Sequence, residues 1–70
     1  FYMIIRFNIK NELGEYFSDK MEVTEEQYKN IIEMSKTFYN SGYDMYLENG
    51  FIVVPPDMVK KSILIIDIVN

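Results

Sequence analysis

The sequence predicts an α+β fold of element order ββαβββ, one long helix lying across a mainly antiparallel sheet, with residues 1–70 forming one domain. Three observations predict it. Apolar residues alternate with a period of two over residues 3–10 and 43–47, one central stretch follows a helical period with its own start and stop signals, and turn residues sit beside the alternating runs.

Met3, Ile5, Phe7 and Ile9 alternate with Ile4, Arg6, Asn8 and Lys10, so the first strand runs from about 2 to 10. Asn11-Glu12-Leu13-Gly14 then matches a three-residue hairpin loop whose glycine forms a bulge. With Asn11 facing Glu15, Ile9 meets Phe17, Phe7 meets Asp19, Ile5 meets Met21 and Met3 meets Val23. Three of these four pairs are apolar. A slip by one residue would set the same face against Tyr16, Ser18, Lys20 and Glu22.

Thr24 is an N-cap with Gln27 three residues on, a capping box, and Glu25 and Glu26 favour the positive end of the helix dipole. Val23 and Tyr28 occupy the positions of a hydrophobic staple. Tyr28, Ile31, Ile32, Ser35, Phe38 and Tyr39 form one stripe, which predicts a helix over 25–40 closed by Gly42 as a left-handed cap, with Tyr43 against Phe38. Tyr43, Met45 and Leu47 then alternate up to Asn49-Gly50, a two-residue turn signal that sets Leu47 against Ile52 and Met45 against Val54. Pro55-Pro56 ends that strand, residues 57–61 fit one helical turn, and Ser62 to Asn70 read as a last strand. The inner face of the sheet is expected to hold Met3, Ile5, Ile9, Phe17, Met21, Leu47, Ile52, Val54, Leu64, Ile66 and Ile68.

Composition narrows the chemistry. The chain has no His, Cys or Trp, so it lacks an imidazole base, a thiolate nucleophile, a disulfide and the usual zinc, haem or iron–sulfur ligands. No Gly-rich phosphate loop or serine elbow is present either, and neither an enzyme nor a cofactor is expected. The net charge of −4 opposes a phosphate-binding surface. No signal peptide or membrane span is expected, because Arg6 interrupts the start and apolar runs such as Ile63 to Ile66 are far too short to span a bilayer. Met3 is a candidate natural start, and the wealth of Ile, Lys and Asn with no Ala points to an AT-rich genome.

Two surfaces are candidates for function. One helix covers one side of a sheet, which leaves Tyr2, Ile4, Tyr46, Phe51, Val53, Ile63 and Ile65 on the other side as a partner-binding face. The second is an acidic patch of Glu12, Glu15, Asp19 and Glu22, suited to a basic groove on a partner. Glu25 and Glu26 are explained by the helix start instead. Ser62 to Asn70 is β-branched and nearly uncharged, so it is expected to be central, or paired across a homodimer. An alternative reading stacks single-stranded nucleic acid on Tyr2, Tyr16, Tyr46 and Phe51 beside Arg6, Lys10 and Lys20.

The run MEVTEEQYKNII, placed after a short apolar strand and before a Gly-terminated helix and an Asn-Gly hairpin, resembles the small proteins of phages and prophages of AT-rich bacteria. That resemblance implies a non-enzymatic, anti-CRISPR-like inhibitor acting in the cytoplasm of the host cell. It implies a host or defence-system protein as the partner.

Overall fold

The computed structural model describes residues 2–69 and has the α+β architecture expected, built from six strands, two α-helices and a short 3₁₀ turn. β1 (Tyr2–Asn11) is the centre of the first sheet. Its return strand is split into β2 (Gly14–Phe17) and β3 (Met21–Thr24), both antiparallel to β1. β6 (Ile63–Ile68) pairs antiparallel with the opposite edge of β1. Strands β4 (Tyr43–Leu47) and β5 (Gly50–Val54) form a second, two-stranded sheet. The two sheets meet at a single bridge between Ser18 and Leu47, beside an Asp19 N–H that donates to the Tyr46 carbonyl.

The first hairpin corrects the expected register over half its length. Asn11 pairs with Gly14, not Glu15, so the loop is the two residues Glu12-Leu13 and Ile9 faces Tyr16. Gly14 does adopt a positive φ, 145°, and the Asn11 side chain accepts the Leu13 N–H. Further along, Ile5 faces Met21 and Met3 faces Val23, as expected. One extra residue between Phe17 and Met21 reconciles the two halves. The expected register contained one poor pair, Phe7 against Asp19, and the irregularity falls there: Ser18 takes the place opposite Phe7, while Asp19 leaves the ladder. Phe17 consequently moves to the outer face and Tyr16 to the inner one, the reverse of the expected placing.

The second hairpin keeps its two-residue loop but uses Glu48-Asn49. Leu47 pairs with Gly50, Met45 with Ile52 and Tyr43 with Val54. A slip of two residues leaves every side chain on its original face, so the apolar pattern cannot choose between the two registers. Neither Asn49 nor Gly50 has a positive φ, and a Cβ on Gly50 would meet nothing within 4 Å.

The helix is shorter than its apolar stripe suggests. α1 (Glu25–Ser35) begins with the expected capping box: the Gln27 N–H donates to Thr24 Oγ1 at 3.1 Å and the Thr24 N–H to Gln27 Oε1 at 2.8 Å. It ends because Lys36 and Thr37 donate three residues back, to Glu33 and Met34, and the Ser35 and Thr37 hydroxyls compete for carbonyls of the last turn. Phe38–Asn40 follow as a 3₁₀ turn. Gly42 does not take the left-handed cap expected of it. Its lack of a side chain matters for space, since a Cβ there would lie 3.1 Å from the Val54 carbonyl oxygen. The Phe38–Tyr43 contact expected with that cap does form, edge to face at 5.0 Å. Replacing Thr24 with Ala should cost about 1 kcal/mol by leaving a first-turn N–H without its acceptor; a chemical-denaturation midpoint unchanged from wild type would show that the box contributes nothing.

α2 (Pro56–Val59) is the expected single helical turn, with Pro56 at its start. Val59 is fully buried and joins Ile9, Phe38, Met45 and Val54 in the core, with Phe7, Tyr16, Leu47, Ile52 and Leu64 packed around them. The β4–β5 hairpin therefore turns its inner face onto the inner face of the first sheet. The helix does not cover that sheet alone. None of its residues is buried, and Tyr39, expected in the core, is exposed.

Of the two arrangements expected for Ser62 to Asn70, a central position in the sheet or pairing across a homodimer, the central position is not the one taken. Among the described residues β6 pairs with β1 only and forms the edge of the sheet; Asn70, the expected end of this strand, lies outside the described residues. No helix of the described residues is long and apolar enough to cross a membrane.

Candidate partner-binding surfaces

The seven apolar residues expected on one face lie on two separate sheets. Cross-strand pairing places Tyr2, Ile4, Ile63 and Ile65 on the outer face of the first sheet, together with Arg6, Asn8, Lys10 and Phe17. Tyr46, Phe51 and Val53 belong to the outer face of the β4–β5 hairpin. The inner sides of the two sheets share one core, so the two outer faces look away from it separately. Tyr46 and Phe51, a directly paired couple, form their own edge-to-face contact at 4.9 Å. Tyr2, Tyr46, Phe51, Val53 and Ile63 are all at least half exposed, while Ile4 and Ile65 are half-buried among neighbours on their own sheet.

Two polar side chains on the first sheet's outer face are left short of partners. Arg6 sits with its guanidinium carbon 4.5 Å from the centre of the Phe17 ring, and its Nε is buried without a hydrogen-bond acceptor. Asn8 is 5% exposed, its amide nitrogen reaches Glu15 Oε1 only at 3.5 Å, and its Oδ1 is buried without a donor. Buried unpaired groups of this kind cost about 1–3 kcal/mol each in isolation. Phe17 was expected in the core, and the sequence signal for its true position is the single apolar–charged mismatch between Phe7 and Asp19 in the expected register.

The four acids do not form a single-sign patch. Glu15 lies opposite Lys10, Glu22 opposite Ile4, and Glu12 is in the hairpin loop. Asp19 lines a cavity of about 360 Å³ with Arg6, Phe17, Ser18, Lys20 and Glu48, so two bases share it with two acids. Interleaved charges weaken the field that steering of a basic partner would need. Both ion pairs among the described residues, Lys29–Glu25 and Lys36–Glu33, lie exposed along α1. Among the described residues no three acidic side chains gather as a metal-holding group.

The base-stacking arrangement is not assembled either. Tyr16 packs against the core, and Tyr46 and Phe51 are on a different sheet from Tyr2, Arg6 and Lys10. An apolar cavity of about 250 Å³ between α1, the 3₁₀ turn and the first sheet is lined by Phe7, Ile31, Met34, Phe38, Tyr43 and Leu64, among others. It falls below the roughly 300–1,000 Å³ of small-molecule pockets.

Tyr43, which lines this cavity, has a shifted hydroxyl. Burial, and then the neighbouring Asp44 charge, holds its hydroxyl above the ordinary value of 10.0. The folded state therefore retains this proton where the unfolded chain releases it. The stabilisation is complete below about pH 10 and is lost as pH rises through the folded value. Tyr43→Phe should remove that part of the alkaline loss of stability while keeping the Phe38 ring contact. Superimposable alkaline melting profiles for the two proteins would refute the assignment.

No family model, curated protein or solved structure matches this chain.

Proposed function

We propose that this chain is a non-catalytic binding module that occupies a surface of a larger protein through the outer face of its first sheet. The observation that carries this reading is the state of that face. Ile4, Ile63, Ile65 and Phe17 lie there with no layer over them, around an Arg6 Nε and an Asn8 Oδ1 that are already desolvated and still unpaired. A partner that supplies a carboxylate to the open edge of the Arg6 guanidinium, stacked on Phe17, would add a charge-assisted bond there, with the aliphatic residues around it excluding water. An arginine stacked on an aromatic ring and surrounded by apolar contacts is the common composition of an energetically dominant interface centre. The kind of partner proposed, a host or defence-system protein blocked by a phage or mobile-element inhibitor in the host cytoplasm, follows from the resemblance of the MEVTEEQYKNII layout to small phage and prophage proteins.

A photo-crosslinking aromatic residue placed at Phe17 or at Phe51 in turn, in cells of an AT-rich bacterial host, tests this reading. A heavier adduct of defined mass is expected from position 17 and lost when Arg6 is also replaced by Ala. An adduct from position 51 alone would place the partner on the β4–β5 hairpin, and adducts from neither would remove the outer face as a docking surface.

A further inference from the structure

We infer that the open edge of β6 is a pairing edge for a second copy of this chain, giving a two-fold dimer in which one antiparallel sheet runs through both molecules. This does not rest on the reading of the outer face. It rests on the direction of the backbone groups. Phe7 exchanges hydrogen bonds with Ser18, its N–H to Ser18 Oγ at 2.8 Å and its carbonyl from the Ser18 N–H at 2.9 Å, so odd residues of β1 point toward β2 and β3. The Val69 N–H donates to the Ile4 carbonyl at 2.8 Å, so even residues of β1 point toward β6. Alternation along an antiparallel pair then assigns Ile63, Ile65 and Asp67, the residues opposite Lys10, Asn8 and Arg6, to bonds with β1. Leu64, Ile66 and Ile68 are left with their N–H and carbonyl groups on the outer edge, where no segment pairs with them among the described residues.

Edges of this kind are normally blunted by proline, lysine, a bulge or a covering loop. β6 has none of these within Ile63–Ile68; its only ionisable residue is Asp67. The charges around it select a second copy in the antiparallel sense. Lys60 and Lys61 precede the strand and Asp67 lies near its end, so an antiparallel copy brings each basic end to an acidic end, whereas a parallel copy opposes like to like. With the two-fold axis at Ile65, that side chain packs on its own copy, Leu64 falls opposite the second copy's Ile66, and Lys61 lies diagonal to the second copy's Asp67. Ile63, 58% exposed in the single chain, falls opposite the second copy's Asp67, and the outer face that holds Ile4 and Phe17 stays open.

Sedimentation velocity over a concentration series, with amide hydrogen exchange on the same samples, tests the inference. The expected result is a species of twice the 8.4 kDa chain mass at high concentration, in which the Leu64, Ile66 and Ile68 amides exchange at least an order of magnitude more slowly than after dilution. Ile65→Lys sets two like charges across the axis and should return the chain to single mass; Val53→Lys, on the other sheet, should leave the dimer intact. A single-mass wild-type chain at every concentration overturns the inference, including one whose edge accepts only a foreign peptide. So does a dimer whose three edge amides exchange as fast as after dilution, or a folded Ile65→Lys chain that still dimerises. If Ile65→Lys does not fold, the wild-type mass and exchange pattern decide alone.

Discussion

Replacing Ile9 with Ala should destabilise the protein by about 2–5 kcal/mol, the cost of removing buried methyl groups plus that of the cavity left behind. Ile9 is 0% exposed and stands where the two sheets, the 3₁₀ turn and α2 converge, through Met45 and Val54, Phe38 and Val59. None of these neighbours can close the gap alone, because each is tied to a different element. At roughly 0.05–0.15 kcal/mol per residue, a seventy-residue chain has about 3.5–10 kcal/mol in total, so the variant should lose between a fifth of its stability and all of it. Urea unfolding of Ile9→Ala beside Ile4→Ala, which removes the same groups from the uncovered face, measures the difference. A midpoint for Ile9→Ala no lower than that for Ile4→Ala would show that the core is not centred on this residue.

Ser18→Ala should cost about 1–3 kcal/mol although it deletes a single oxygen atom. Ser18 is 6% exposed, and its hydroxyl accepts the Phe7 N–H at 2.8 Å while donating to the Asp19 carbonyl at 2.9 Å. It thus takes over a ladder position where the backbone of the return strand is out of step. Without it the Phe7 N–H is left with no acceptor in a site that water does not reach freely. Exchange of the Phe7 amide should accelerate in Ser18→Ala and stay slow in Ser18→Thr, which keeps the hydroxyl. An Ala variant with wild-type stability and a protected Phe7 amide would mean that the irregular pairing is held by the backbone alone.

Local chemistry was legible where a few adjacent residues decide it. Thr24 and Gln27 form the capping box that their spacing predicts, Pro56 starts α2, and β1 spans the alternating run. The register of the first hairpin was legible only from Ile5 outward. Near the turn, the choice between Tyr16 and Phe17 depends on removing Asp19 from opposite Phe7, which no single cross-strand pair reveals. In the second hairpin, Met45 faces an aliphatic residue in either register, so alternation alone could not select Ile52 over Val54. Phase identifies the outer-face residues but not their division between two sheets, because it says which side of a strand a residue is on, not where that strand lies.

Residues near one another in the chain set the α+β class, the capped helix start and the alternation that makes both faces of the first sheet apolar in part, while the expected order ββαβββ becomes six strands because the return strand of the first hairpin breaks at Ser18-Asp19. Long-range packing decides that the β4–β5 hairpin folds over the first sheet, that the Arg6 Nε and Asn8 Oδ1 are desolvated, and that β6 ends at an open edge. The physical reason is one of range. Helix caps, turns and strand phase are set by hydrogen bonds and side-chain directions within a few residues. Which sheet a strand joins is set by burial between residues tens of positions apart, such as Ile9 with Val54 and Val59, and any of several arrangements satisfies the same local pattern.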